Sequence, residues 1–274
     1  MPRPRYLSLL ALSAAAAAAA LVAPPAAAAG APRLTVEPTP RFVVGTQIGP
    51  SDLRNAALED DYTFSIAQTI HWRAGAPADV CGFDLRWVTD YAAPYRVLTR
   101  SPQTSFAFEG NDYDDSFGGQ AGAAYSWIVT AHGCAGGAAT VRSRRSQPVV
   151  TQEDNRVAGV AAGTVGYSGI WSTARCACFS GGTSRFTSRP GAAATYSATY
   201  EAGDHVALVM PTAPDRGGAH VLVDGRRVAS FDTGAAAPRN RVVVWQAAMP
   251  AGRHTVTLVN AGTGRVDLDA VLHN

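Results

Sequence analysis

The chain has 274 residues, 47% hydrophobic and only 16% charged, with 27 Gly, 17 Pro, 4 Cys and 5 Trp. All 23 of its Lys/Arg positions are arginine, and the absence of lysine excludes Schiff-base, phosphate-loop, kinase-type and Ser-x-x-Lys chemistries. Without Arg3 and Arg5 the formal charge of +2 vanishes, because 21 arginines then face 21 acidic residues; that balance leaves no basic footprint for nucleic acid.

Arg3 and Arg5 precede a Leu- and Ala-rich run over residues 6–23, broken by Pro24-Pro25 and followed by Ala27-x-Ala29. This is the plan of a secretory signal peptide over 1–29. A membrane anchor needs about 20 strongly apolar residues, and an alanine-dominated run with a cleavage site is a poor one. The protein is therefore expected to be secreted and extracellular, with no membrane span after cleavage. Residues 30–37 are expected to be a disordered N-terminal segment. The rest suits two β domains, 38–150 and 160–274, joined by a linker over 151–159.

The first half carries apolar residues at period two. In FSIAQTIHW, Phe64, Ile66, Ile70 and Trp72 point one way; in GFDLRWV, Phe83, Leu85 and Trp87 do; in AYSWIVTAHG, Tyr125, Trp127, Val129 and Ala131 do. Half-buried antiparallel strands read this way. Further strands are expected at 41–48, 95–99, 104–108 and 139–146, giving about seven with turn residues between them, the pattern of a sandwich. Residues 51–61 fit no strand and are left as a short helix or a loop. Arg142, Arg144 and Arg145 read as an exposed strand face.

Cys81 opens the strand before Phe83, and Cys134 closes the one containing Trp127. In an immunoglobulin-like sandwich these are the third and sixth strands, neighbours in one sheet, so a disulfide can reach between them. An oxidising compartment favours that bridge, which is worth roughly 4 kcal/mol by loop entropy. The run IHW … CGFDLRWVTD … YSWIVTAHGCAG resembles a fibronectin type III domain, through Trp72, Phe83 with Leu85, and Tyr125 with Val129 and Ala131. The disulfide and the long stretch after the first strand depart from that family's pattern. The resemblance implies a spacer or binding platform rather than a catalyst.

In the second half, HVLVDGRRVASF places two apolar runs around Asp224-Gly225, a two-residue hairpin signal. NRVVVWQAAMPAGRHTVTLV is expected to form another pair around Pro250 and Gly252, and VDLDAVL a single closing strand. With TSRFTSR, AAATYSATYEAG and DHVALVMP this makes about eight strands, enough for a jelly roll. The ordered set Gly169-x-Trp171, Ser180-Gly-Gly-Thr183, Pro190-Gly-Ala192, Val223-Asp-Gly225, Gly252-x-His-Thr-Val256 and Leu268-Asp-Ala-Val271 resembles the jelly-roll, carbohydrate-binding-module-like domains of actinobacterial exported proteins. The fold class expected is thus all-β, with two sandwiches.

Sugar modules stack rings on exposed aromatics. The candidates here are Tyr167, Trp171, Phe179 and Trp245; Trp171 and Phe179 flank a Gly- and Ser-rich loop where exposure is expected, while Trp245 continues the alternation of Val243 and reads first as core. Cys176 and Cys178 share that loop. They bridge each other in a small, reducible ring in the favoured reading, with free thiols, a metal or a second chain as alternatives. Asn111, Asp112, Asp114 and Asp115 fail the EF-hand spacing and read as a solvated loop, with calcium as the alternative. Asp267 and Asp269 read as solvated hairpin carboxylates, with a structural calcium as the alternative. No cofactor or metal site and no catalytic motif is expected: the six histidines are scattered, and Gly166-Tyr-Ser168-Gly169-Ile170 is no nucleophile elbow. The resulting expectation is a non-catalytic secreted protein whose jelly roll engages an extracellular or cell-wall glycan. The alternatives are a structural or protein–protein module meeting an envelope protein, and a glycan hydrolase using a carboxylate pair.

Overall fold

The computed structural model describes residues 33–36, 40–50, 62–74, 79–90, 93–110, 119–158 and 163–274. The leader expected over 1–29, the stretch 51–61 and the acidic cluster from Asn111 to Asp115 lie outside the described residues. Through residue 158 the strands are β1 (Arg33–Val36), β2 (Arg41–Phe42), β3 (Gly49–Pro50), β4 (Tyr62–Phe64), β5 (Ile66–Arg73), β6 (Val80–Thr89), β7 (Tyr95–Ser101), β8 (Ser105–Gly110), β9 (Gly119–Gln120), β10 (Tyr125–Gly133), β11 (Ala138–Arg142), β12 (Val149–Gln152) and β13 (Val157–Ala158). From residue 163 they are β14 (Gly163–Ser168), β15 (Ser172–Arg175), β16 (Thr183–Thr187), β17 (Ala193–Tyr200), β18 (His205–Thr212), β19 (Gly218–Val223), β20 (Arg226–Asp232), β21 (Arg239–Ala248), β22 (Gly252–Asn260), β23 (Val266–Leu268) and β24 (Ala270–His273). The protein is all-β, with no α-helix among the described residues and therefore none long and apolar enough to cross a membrane.

In the first sandwich, β5 carries β1 and β2 along one edge and β8 along the other, against the sheet β11-β10-β6-β7. The period-two pattern buries as expected. Ile66, Ile70 and Trp72 face Leu85, Trp87, Trp127 and Val129 across one core, with Trp87 stacked on Tyr125 at 4.7 Å and edge-on to Trp127 at 4.6 Å. Gln68 shares the core parity, and it is satisfied there because Trp127 Nε1 donates to its Oε1 at 2.7 Å. β6 pairs with β10, and Cys81 is bridged to Cys134 with Cα atoms 4.9 Å apart.

Three expectations for this half need correction. Residues 33–36, inside the stretch expected to be disordered, form β1 and pair with β5, because Leu34 and Val36 alternate with Arg33 and Thr35 even in so short a run. The strand expected over 41–48 ends at Phe42. Gly45, at φ +89, turns the chain, which then pairs with β21: Gly45 N–H donates to Val243 O at 2.7 Å, Val243 N–H to Thr46 O at 2.9 Å, and Ile48 N–H to Arg241 O at 2.9 Å. The linker expected over 151–159 instead supplies β12 and β13 in its described part. All four residues of β12 are buried, and the strand pairs with the final strand, β24. Val149 and Val150 lead straight into it, so the change of composition there marks a strand entry.

The arginine cluster near β11 is internally paired. Arg142 donates to Ser126 at 2.9 Å, and Arg145 meets Asp90 at 3.0 Å. Arg144 reaches across to Glu201 at 2.8 Å and to Asp204.

The second half folds around the sheet β13-β12-β24-β18-β21, which faces β14-β17-β22-β19-β20, with β15-β16-β23 as a smaller third sheet. Asp224 (φ +50) and Gly225 (φ +79) turn β19 into β20, as a two-residue hairpin with both positions left-handed requires. The pairing expected around Pro250 and Gly252 does not form: β21 pairs with β18, and β22 with β17 and β19. Pro250 has no N–H to continue a ladder. Buried Met249 is instead held by Asp204 O, to which its N–H donates at 2.7 Å. VDLDAVL is likewise two strands. The chain switches sheets at Asp269, whose N–H donates to Val209 O at 3.0 Å.

The five-stranded sheet is buried on both faces. Val206, Leu208, Met210 and Val271 enter the core of the second half, whereas Val150, Ala207, Val209, Val243, Ala270 and Leu272 join the core of the first, beside Phe42 and Ile48. Leu272→Ala should therefore destabilise both halves together, by about 2–5 kcal/mol. Urea unfolding followed by tryptophan fluorescence and by amide exchange should show one lowered midpoint. Two transitions, with that of the first half unmoved, would contradict a shared core.

Candidate functional site

The site is built on the turn between β14 and β15 and on the end of β16. Gly169, at φ +81, makes that turn; a Cβ there would lie 3.0 Å from Ala192 Cβ. The turn brings Trp171 back over Tyr167, with ring centroids 5.1 Å apart, and Trp171 Nε1 donates to Ser168 O at 3.0 Å. Tyr167 OH donates to Glu153 O at 2.7 Å, while Arg185 lies 5.4 Å over the Tyr167 ring and donates Nε to Glu153 Oε2 at 3.1 Å. Burial, reinforced by Glu153, pushes the Tyr167 hydroxyl up, so it stays a neutral donor.

The same turn, through Ile170 and Ser172, borders a cavity of about 340 Å³ whose other lining residues are Phe186, Thr187, Ser188 and Arg189. Ile170 is 66% exposed and forms an apolar wall open to solvent. The Arg265 guanidinium covers one face of Phe186 at 3.7 Å. Thr187 Oγ1 donates to Ile170 O at 2.8 Å and accepts from Arg189 N–H at 3.1 Å, tying the two walls together. Arg265 in turn grips buried Asp267 through Nε (3.0 Å) and a terminal nitrogen (2.6 Å), and Arg216 Nε meets the same carboxylate at 2.7 Å. A second concavity, in the first half, holds about 130 Å³, and two of its lining arginines, Arg142 and Arg145, are occupied by Ser126 and Asp90.

Of the four aromatic candidates, the structure brings together Tyr167 and Trp171, both half-buried, but neither lines the cavity. Phe179, expected at an exposed loop edge, is only 6% exposed, because the loop is drawn inward by Arg241, which donates to Ala177 O at 2.7 Å and Phe179 O at 3.2 Å. Trp245 lies on β21 opposite Leu208, half-buried against the second core. Cys176 and Cys178 are bridged to each other. Asp267 and Asp269, expected as solvated carboxylates, are fully buried: Asp267 is claimed by two arginines, and Asp269 accepts from Ser180 N–H at 2.8 Å and Ser180 Oγ at 3.3 Å. Among the described residues, no group of three or more His, Cys, Asp or Glu side chains is placed to hold a metal ion. Histidines do pair with carboxylates, His254 with Asp224 at 2.6 Å and His132 with Asp84 at 3.1 Å, but outside the cavity lining.

Sequence reasoning passed over Ile170, Phe186, Arg189 and Arg265. A signal was present for Phe186, an aromatic flanked by Arg185 and Arg189 in a strand-like run. Arg265 could not be placed beside it, since the two meet only through the pairing of β16 with β23.

No family model matches the sequence, and a search of curated proteins finds no match. Among solved structures, the chain is similar to the CBM36-1 domain of a multidomain xylanase from the Trinervitermes trinervoides hindgut metagenome, at 12% identity and TM-score 0.33, covering 47% of this chain and 97% of that one. It is also similar to a family 35 carbohydrate binding module from Clostridium thermocellum, at 16% identity and TM-score 0.34, covering 45% of this chain and 96% of that one. An exo-beta-1,3-galactanase from Phanerochaete chrysosporium matches at 12% identity and TM-score 0.35, over 83% of this chain and 67% of that one.

Burial pushes the Asp269 carboxyl from its ordinary 3.8 up to about 7, opposed by Ser180 and Arg241. The folded state therefore holds this proton where the unfolded chain has released it, and the group's contribution to stability falls as pH rises from 3.8 towards 7. The stability of the wild type relative to Asp269→Asn should fall across that window in urea titrations. A difference independent of pH would show that folding does not raise the Asp269 pKa.

Proposed function

We propose that this chain is a secreted binding protein, non-catalytic towards its ligand, whose second half takes a glycan in the cavity between Ile170 and Arg189. One observation carries the reading: an open cavity of about 340 Å³ pairs apolar walls, Ile170 and Phe186, with a polar rim of Ser172, Ser188 and Arg189. Pyranose rings offer an apolar C–H face and an edge of hydroxyls, which such a surface matches. The volume falls within the span of small-ligand sites, about 300–1,000 Å³.

The buried carboxylates Glu153, Asp267 and Asp269 support binding over hydrolysis. Glu153 and Asp267 are occupied by arginines and Asp269 by Ser180, which leaves none of the three aimed at a bound ring. The first sandwich, sharing a core with the second half, acts as the platform.

Retention on insoluble and soluble polysaccharides tests the proposal. Arg189→Ala and Ile170→Ser, both at exposed positions, should each weaken retention about tenfold, or ~1.4 kcal/mol, with sheet content unchanged. Equal retention by both variants would place the ligand elsewhere. Failure of the wild type to retain any polysaccharide, with a protein recovered by cross-linking, would favour an envelope-protein partner instead.

A further inference from the structure

The two disulfides differ in what they hold. Cys81–Cys134 joins neighbouring strands across a separation of 53 residues, whereas Cys176–Cys178 spans a separation of 2. The entropy removed from the unfolded chain grows with ring length, so the short bridge contributes little by that route.

The loop around it is held by other means. Cys176 N–H donates to Gly182 O at 3.0 Å, Phe179 N–H to Cys176 O at 3.0 Å, and Gly182 N–H to Phe179 O at 3.1 Å. Arg241 clamps the carbonyls of Ala177 and Phe179 from β21, and the Ser180 N–H is taken by buried Asp269. None of these bonds needs the S–S bond, so opening it leaves the loop in place. Cys176 and Ala177 are exposed and Cys178 is half-buried, so a thiolate can approach. Cys178 N–H donates to Cys176 Sγ at 3.1 Å, and the Arg241 guanidinium sits on the carbonyl between the two cysteines. The Cys178 N–H stabilises negative charge on the Cys176 sulfur as a leaving group, and Arg241 brings a cation to the same loop.

From these features we infer that Cys176–Cys178 is a thiol–disulfide exchange site that oxidises peptide dithiols. A substrate thiolate attacks Cys178 Sγ. The S–S bond of the loop breaks, a mixed disulfide forms at Cys178, and Cys176 leaves as a thiolate that takes up a proton. The second substrate thiolate then attacks the substrate sulfur of the mixed disulfide, closing the substrate's own disulfide and releasing Cys178, which is protonated in turn. Two electrons pass from the substrate dithiol to the loop, and the two protons lost by the substrate are balanced by the two gained by the cysteines. A low-molecular-weight disulfide restores the bridge by the reverse exchange.

The test equilibrates the purified protein with graded mixtures of reduced and oxidised glutathione, traps thiols by alkylation and reads each cysteine pair by peptide mass. Cys176–Cys178 should be half-reduced at a [GSH]²/[GSSG] ratio at least tenfold lower than Cys81–Cys134, with the circular dichroism of the sheets unchanged. The oxidised protein should also convert a reduced two-cysteine peptide to its disulfide in a 1:1 stoichiometric reaction, as expected for two electrons per loop, and the double variant Cys176→Ser, Cys178→Ser should not. A bridge that opens only together with Cys81–Cys134 or only on unfolding, or a peptide oxidised equally by the double variant, would overturn the assignment. The wild-type titration decides the first point even if the variant fails to fold.

Discussion

The rest of the structure depends on a sheet that has no solvent face. In β18 successive side chains alternate between two cores: Val206, Leu208 and Met210 go to the second half, Ala207 and Val209 to the first. Separating the halves would expose Val150, Val209, Val243 and Leu272 to water at once, a cost that scales with apolar area. The small residues matter too. Ala207 and Ala270 let the first half approach closely enough for Phe42 and Ile48 to join the cluster. Polar contacts seal the edges of the same contact, with Asn274 donating to Pro40 O at 2.6 Å and residues 45–48 hydrogen-bonded to β21. A chain whose composition suggests two beads on a linker is therefore built as two sandwiches on one common wall.

Local periodicity explains which elements were legible in the sequence. Phe64 to Trp72, Phe83 to Trp87 and Tyr125 to Ala131 each turn their large apolar side chains to one face, with small or polar residues such as Ser65, Asp84 and Ser126 on the other, so the alternation survives in the residue order even where both faces are covered. Asp224-Gly225 was legible for a different reason, since a two-residue turn demands left-handed backbone at both positions. Apart from β1, whose alternation is only four residues long, the failures were non-local. Nothing near Pro250 says that β21 and β22 belong to opposite sheets, because that choice is made by β18 and β17, far away in sequence. β12 escaped notice because a strand buried on both faces has no alternation to display.

The candidate site divides along the same line. Tyr167 and Trp171 meet across one tight turn, and their association could be read from spacing. The burial of Asp267 and Asp269 could not, because a carboxylate in a strand looks solvated until its partners arrive from elsewhere. Arg216 and Ser180 do so only after the sheets assemble. Phe179 was misplaced for a related reason: a loop rich in Gly and Ser reads as projecting, whereas the guanidinium of Arg241 pulls this one down onto β21.

The arginine-only composition gains a structural meaning at this site, whatever its genomic origin. Arg265 sits over Phe186 and at the same time presents two nitrogens to Asp267; Arg185 lies over Tyr167 while donating to Glu153. A planar guanidinium can stack and hydrogen-bond at once, which a lysine ammonium on a flexible stem cannot do. Each arginine thereby fixes one aromatic and neutralises one buried carboxylate in a single contact. The Phe186 wall of the cavity is covered by Arg265 before any ligand arrives, so on the proposed reading a ring packing there has little side-chain freedom left to freeze. On the proposed reading, that preorganisation counts for more than the modest volume of the cavity.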